Sequence, residues 1–252
     1  MKERSLKALW AQKPCIYGAW LSIPDSNCAE TCARAGFDYI CIDVQHGLMD
    51  YQAALHMLQA LDLGASLPIV RVPSNDPWLL GKFLDAGASA VILPMINTPE
   101  EAQAAVAACR YAPQGIRSFG PTRPLMREGM RYFKEANGAI SVIPMIETRE
   151  ALARVDEIVA VDGIDAVYLG PFDLHVALDL PPNVDSDEPQ FVEAVDRVLS
   201  CCFKAGVTAA IHANPQVAAK RRSQGFHMIT VASDLSILRR GFQDALDMVK
   251  TQ

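Results

Sequence analysis

Residues 26–43 read SNCAETCARAGFDYICID, and this stretch decides the fold. Asp25 and Ser26 carry the side-chain oxygens that cap a helix start. The pattern that follows predicts a helix over Ser26–Ala35, and Gly36 ends it, as glycine commonly does. Tyr39–Asp43 then runs Tyr-Ile-Cys-Ile-Asp with no apolar–polar alternation, the signature of a parallel strand covered on both faces. The same sequence of helix, glycine and strand recurs at Ala86-Gly87-Ala88, Ala205-Gly206-Val207 and Gln224-Gly225-Phe226.

Working outward, further strands are expected at Ile16–Leu21, Pro68–Arg71, Ala90–Pro94, Ile140–Ile146, Ala166–Leu169, Val207–Ile211 and Met228–Val231. The remaining helices are expected at Tyr51–Leu63, Asp76–Ala86, Pro99–Cys109, Arg149–Ala160, Pro189–Ala205, Pro215–Gln224 and Leu235–Lys250. Eight strands, each followed by a helix, predict an α/β fold: one (β/α)8 TIM barrel, a single domain over residues 1–252. A length of 252 residues suits it. A doubly wound sheet is the alternative, but no G-x-G-x-x-G follows any strand, so no nucleotide cofactor is expected. Residues 111–138 stand out as a long loop with four arginines, Arg117, Arg123, Arg127 and Arg131, suited to a lid or a subunit contact.

Composition removes several classes of function. Half of the residues are hydrophobic and 21% are charged, as in a globular protein. The net charge of −6 comes with no basic patch, so nucleic acid is not an expected partner. No apolar run approaches a membrane span, and residues 1–14 lack a secretory core, so a cytoplasmic protein is expected. The seven cysteines form no C-x-x-C pair and read as reduced, packing thiols.

In a barrel the chemistry sits at the carboxyl ends of the strands. Those ends carry Ser22, Asp43-Val44-Gln45-His46, Arg71, Glu147, Gly170-Pro171-Phe172-Asp173 and, near the seventh, His212. Glu147 and Asp173 pair as ligands for a hard divalent ion; alternatively, each is an N-cap or first-turn carboxylate of a following helix. His46 is a candidate general base whose ring Asp43 would orient, or a loop histidine bonded to backbone. Arg71 would hold a carboxylate or keto oxygen in its planar fork, or form a salt bridge with Asp43 or Glu147. No lysine lies at a strand end, so no Schiff-base lysine is expected. Strand eight runs into Ala232-Ser233-Asp234 without a glycine-rich phosphate cup. These groups together suit carbanion chemistry beside a carbonyl.

The motifs Gly18-Ala19-Trp20, Ile42-Asp43-Val44-Gln45-His46-Gly47, Arg71-Val72-Pro73, Leu93-Pro94-Met95, Pro144-Met145-Ile146-Glu147-Thr148 and Gly170-Pro171-Phe172-Asp173-Leu174 occur in that order. In this the chain resembles the HpcH/HpaI aldolases, the metal-dependent class II pyruvate aldolases, over about residues 15–245. The resemblance implies a (β/α)8 barrel, a homo-hexamer built as a trimer of dimers, and a divalent cofactor (Mg2+, Mn2+ or Co2+). It implies reversible cleavage of a 4-hydroxy-2-oxo acid to pyruvate or hydroxypyruvate and an aldehyde through an enolate. Oxaloacetate decarboxylation is the alternative on the same barrel. By motif, Glu147 and Asp173 are the expected metal ligands, Arg71 the enolate-stabilising residue, His46 the base and Asp43 its partner. Gly170, Pro171, Trp20 and Gln45 are the expected substrate contacts, with Leu125 and Phe172 further candidates for the aldehyde side. Gln45 stands where many members have Glu, Met145 where many have Gln, and Ser118 where many have Gly.

Overall fold

The computed structural model describes residues 5–250. Eight parallel strands close into a barrel in sequence order: β1 (Ile16–Leu21), β2 (Tyr39–Asp43), β3 (Leu67–Arg71), β4 (Ala90–Leu93), β5 (Ser141–Ile146), β6 (Ala166–Leu169), β7 (Thr208–His212) and β8 (Met228–Ser233). The helices are α1 (Leu6–Gln12), α2 (Ser26–Ala33), α3 (Tyr51–Leu61), α4 (Pro77–Asp85), α5 (Pro99–Cys109), α6 (Thr122–Glu128), α7 (Met130–Ala139), α8 (Arg149–Ala153), α9 (Val155–Val159), α10 (Pro171–Ala177), α11 (Pro189–Ala205), α12 (Ala218–Gln224) and α13 (Asp234–Lys250).

The helix starts follow their caps. Asp25, Asp50 and Asp76 accept from backbone N–H groups of the first turns of α2, α3 and α4. Thr98 and Glu101 form a reciprocal capping box on α5. α11 ends at Gly206 and α12 at Gly225, both left-handed.

Strand alternation divides the core in two. Ile40, Ile42, Val70, Val91, Val142, Val167 and Ile211 face the helices. Ile16, Trp20, Tyr39, Cys41, Ile69, Ile92, Met145, Tyr168 and Met228 fill the barrel interior. Because successive side chains point to opposite faces, the inward ladder continues upward to Asp43, Arg71 and His212. Gly18 keeps this interior possible: a Cβ there would lie 2.2 Å from the buried Tyr39 ring. At the opposite end α1 inserts Leu6 into the same interior cluster as a floor.

Residues 111–138 are not one long loop: α6 and α7 occupy most of them. They join a helix to the start of β5, which puts them at the amino end of the barrel. Their arginines are bound there. Arg117 pairs with Asp85 at 2.8 Å, Arg127 pairs with Asp62 at 2.7 Å, and Arg123 also reaches Asp62. The segment, Leu125 included, therefore cannot cover the carboxyl-end mouth of its own barrel. The helix expected at Arg149–Ala160 is broken at Arg154 into α8 and α9.

The seven cysteines are free, and Cys15, Cys41, Cys109 and Cys202 are buried. No described helix is long and apolar enough to cross a membrane.

Candidate active site at the carboxyl end of the barrel

A cavity of about 190 Å3 opens at the carboxyl ends of the strands. Trp20, His46, Arg71, Gly170, Pro171 and Asp173, all singled out from sequence, line it. Met145, Tyr168, Phe172 and His212 complete the wall. Asp43 stands behind Arg71 and Glu147 behind Gly170; Gln45 lies outside the wall.

Asp43 and Arg71 face each other across the β2–β3 register. Arg71 donates from Nε to Asp43 Oδ1 at 2.9 Å and from Nη2 to Oδ2 at 2.6 Å, a bidentate fork. Asp43 also accepts from the Trp20 indole at 3.2 Å and from the backbone N–H groups of Gln45 and His46 at 3.1 and 3.2 Å. Burial alone would raise its pKa, but the arginine, followed by these N–H donors, outweighs burial and holds the carboxyl below its ordinary value. The contact between Asp43 and His46 thus runs through the His46 backbone. The His46 ring is exposed at the mouth. Of the two roles weighed for Arg71, the ion pair is present, and it leaves three of the five guanidinium N–H groups unused by Asp43. The guanidinium also lies 4.9 Å from the Trp20 ring centroid, which fixes its plane.

Glu147 is buried just beyond β5 and accepts one hydrogen bond, from Met95 N–H at 2.8 Å. Met95 adopts a left-handed φ of 55°, uncommon for its residue type, at the end of β4. Burial first, and the neighbouring Asp173 carboxylate, raise the Glu147 pKa; Met95 N–H and Arg71 oppose them without cancelling the shift. No lysine, arginine or histidine among the described residues forms a salt bridge with Glu147. Neither acid is an N-cap, but Asp173 is the first-turn carboxylate of α10, as the alternative reading has it. Thr148 caps α8, and the α10 N-cap is Gly170, with no side-chain cap bond. Gly170 is a steric requirement, since a Cβ there would fall 2.7 Å from Glu147 Oε2.

Two carboxylates without a cationic partner, in a cradle that glycine keeps open, fit a hard divalent cation. No group of three His, Cys, Asp or Glu gathers among the described residues, so protein would supply two ligands and leave other positions to water and substrate. Gln45 makes its backbone bond to Asp43, but its side-chain Oε1 is buried without a partner among the described residues.

Three features of the site escaped sequence reasoning. The Met95 N–H is invisible because its role depends on a left-handed backbone. Tyr168 is an inward residue on β6, hydrogen-bonded to Thr230 at 2.6 Å. His212 is legible in the sequence only as a strand end, and period-2 alternation along β7 is the one signal that it points inward.

A closed parallel barrel whose mouth gathers a locked arginine and an unpaired acid couple has the layout of an enzyme for small anionic substrates. Residues 17–240 match the model of the HpcH/HpaI aldolase/citrate lyase family, and the chain belongs to that family. It is a carbon–carbon lyase. A hydroxypyruvate/pyruvate aldolase of Rhizorhabdus wittichii is 41% identical over 92% of this chain and 93% of its own length. A 4-hydroxy-2-oxo-heptane-1,7-dioate aldolase of Salmonella dublin is 37% identical over 96% of this chain and 92% of its own. The crystal structure of an HpcH/HpaI aldolase/citrate lyase family protein from Burkholderia cenocepacia superposes with a TM-score of 0.90 at 34% identity, covering 98% of this chain and 99% of that one.

Proposed function

We propose that the chain reversibly cleaves a 4-hydroxy-2-oxo acid to pyruvate or hydroxypyruvate and an aldehyde. The carrying observation is the Asp43–Arg71 fork beside the Glu147–Asp173 pair, which forms no salt bridge among the described residues. A keto acid has one oxygen on its reacting carbonyl and two on its carboxylate, and this mouth offers fixed donors for the first and a cation site for chelation. Aldolases of this family generally depend on a divalent metal. Bound at Glu147 and Asp173, such an ion would polarise the keto oxygen as a Lewis acid.

The chain's own groups account for the remaining steps. Arg71 directs its free N–H groups at the keto oxygen, and Asp43 prevents the fork from turning away. In the cleavage direction His46, whose ring has no hydrogen-bond partner among the described residues, removes the proton of the C4 hydroxyl. The C3–C4 bond breaks, the C4–O pair becomes the aldehyde carbonyl, and the bond electrons pass into the C2–C3 enolate. Arg71 stabilises the charge that develops on oxygen. A proton returned to C3 completes pyruvate.

Exchange of the pyruvate methyl protons in D2O, followed by NMR, tests this. Exchange should require Mg2+ or Mn2+ after chelation and should be lost in Arg71→Ala. Exchange that survives chelation would refute the metal-dependent reading. Turnover of oxaloacetate, with no product from a 4-hydroxy-2-oxo acid, would assign the barrel to decarboxylation.

The reading extends to a homo-oligomer. Of α13, only Asp234 is buried, and Leu235, Leu238, Phe242, Leu246 and Val249 form an exposed apolar stripe at helical spacing. The outer faces of β8 and β1, which the last helix of a barrel ordinarily covers, are bordered by open grooves of about 610 and 370 Å3. One chain thus offers both an uncovered helix face and an uncovered slot. Two copies exchanging α13 about a twofold axis satisfy both.

A further inference from the structure

His212 ends β7, lines the cavity and has no part in the steps above. Its ring packs edge-on against Trp20, with centroids 5.2 Å apart, and lies 6.3 Å from Phe172. Its Nδ1 is 3.4 Å from the Tyr168 hydroxyl. That hydroxyl donates its hydrogen to Thr230 Oγ1 at 2.6 Å, so towards His212 it can only accept. Nδ1 therefore carries the ring hydrogen. Burial, then the positive charge of Arg71, push the imidazole pKa down to about 4, so at neutral pH the ring is uncharged and its Nε2 is an acceptor. Nε2 has no partner among the described residues.

Space and position indicate what meets it. The cavity of about 190 Å3 equals the share of roughly six water molecules at ~30 Å3 each. A three-carbon keto acid fits within it beside the lining side chains. His212 and Arg71 rest on the same indole, at 5.2 and 4.9 Å from its ring centroid. Both line the cavity, so a donor held by its keto oxygen on Arg71 has a flanking carbon, C1 or C3, to turn towards His212. The nearby wall is otherwise apolar (Met145, Pro171, Phe172), charged (Arg71, Asp173) or engaged elsewhere: the Tyr168 hydroxyl with Thr230, the Trp20 indole with Asp43, and His46 with the C4 hydroxyl.

We propose that His212 is a specificity residue for the keto-acid donor, with Nε2 accepting the hydrogen of the C3 hydroxyl of a 3-hydroxy-2-oxo acid such as hydroxypyruvate. Pyruvate, with a methyl group there, leaves that acceptor unpaired. The assignment rests on the aldolase reading and names which of its donors the site is built for.

The test is the ratio of kcat/KM for hydroxypyruvate to that for pyruvate, with propanal as the common acceptor, in wild type, His212→Phe, His212→Leu and His212→Gln. Phe and Leu remove the acceptor by different shapes, so one suffices if the other misfolds; Gln restores an amide oxygen near the Nε2 position. The ratio should fall about tenfold in Phe or Leu, the scale of one hydrogen bond in a closed site, and stay within threefold of wild type in Gln. A ratio unchanged within twofold in Phe and Leu, or an equal fall in Gln, overturns the proposal. So does a loss of discrimination between glycolaldehyde and acetaldehyde at a constant donor ratio, which would place His212 on the aldehyde side. A wild-type enzyme that turns over neither donor refutes the aldolase reading itself.

Discussion

Glu147→Gln should make the protein more stable and inactive at once. Glu147 is 3% exposed and has one hydrogen bond on two carboxylate oxygens, with another carboxylate beside it. A buried carboxylate that keeps its charge ordinarily accepts two or three N–H bonds. Gln keeps the shape and the acceptor for Met95 N–H while removing the charge. Relief of an under-satisfied buried charge amounts to about 1–2 kcal/mol, taken at the lower end because Arg71 compensates part of it. For a chain of this length that is a Tm rise of about 2–8 °C in metal-free buffer at pH 8. The pH dependence has a fixed sign. The folded-state pKa of Glu147 is raised, so folding disfavours its charged form, and the penalty is fully present above that raised value. It should shrink as pH falls through it and vanish below the ordinary glutamate value of about 4.3. Divalent cation at a hundredfold excess over Kd should stabilise wild type by about 2.7 kcal/mol and leave the variant unmoved. The assay is differential scanning fluorimetry from pH 8 to 5, with EDTA or Mn2+. A variant less stable than wild type in EDTA at pH 8, or one stabilised equally by Mn2+, would refute the reasoning.

Asp43→Asn should cost about 3 kcal/mol in urea unfolding, because it strands a buried Arg71, and should raise the KM for keto acid. Since the Asp43 pKa is depressed, this gap should be constant from pH 8 to 5 and close only as acid protonates the wild-type carboxyl; a gap that closes near neutrality would contradict the pairing. Gly170→Ala, whose Cβ would press on Glu147 Oε2 and the Met145 methyl, should lower Mn2+ affinity at least tenfold by calorimetry while the circular dichroism spectrum stays native. Phe242→Asp, on the exposed stripe of α13, should reduce the mass measured by light scattering; an unchanged mass would remove α13 from the interface.

Strands are legible because a parallel strand covered on both faces is a near-continuous apolar run, with its polar residues mostly at the ends. β1, β2 and β6 have the bounds expected from sequence, and the others differ at their ends by one or two residues. Elements that depend on distant partners were not legible. α1 is a helix whose buried Leu6 enters the barrel interior, which no local pattern announces. α10 begins immediately after β6, inside a motif read only for its chemistry. α6 and α7 were obscured by proline, glycine and arginine in residues 111–138, whose order comes from ion pairs to Asp62 and Asp85.

The site divides along the same line. Trp20, Asp43, Arg71 and Glu147 could be read from strand ends, but what each does depends on neighbours tens of residues away. Asp43 and Glu147 show why. Both are acids at the mouth of one barrel, and composition treats them alike. Asp43 accepts five hydrogen bonds, from Trp20, Gln45, His46 and two nitrogens of Arg71. Glu147 accepts one, across 52 residues of sequence. Their pKa values accordingly move in opposite directions. The satisfied acid has no oxygen left to offer and serves to hold an arginine still. The unsatisfied one carries a penalty as an anion that a positive charge at its free oxygen would relieve, which suits a metal ligand. The two carboxylates are visible in the sequence; the count of donors around each is what distinguishes them.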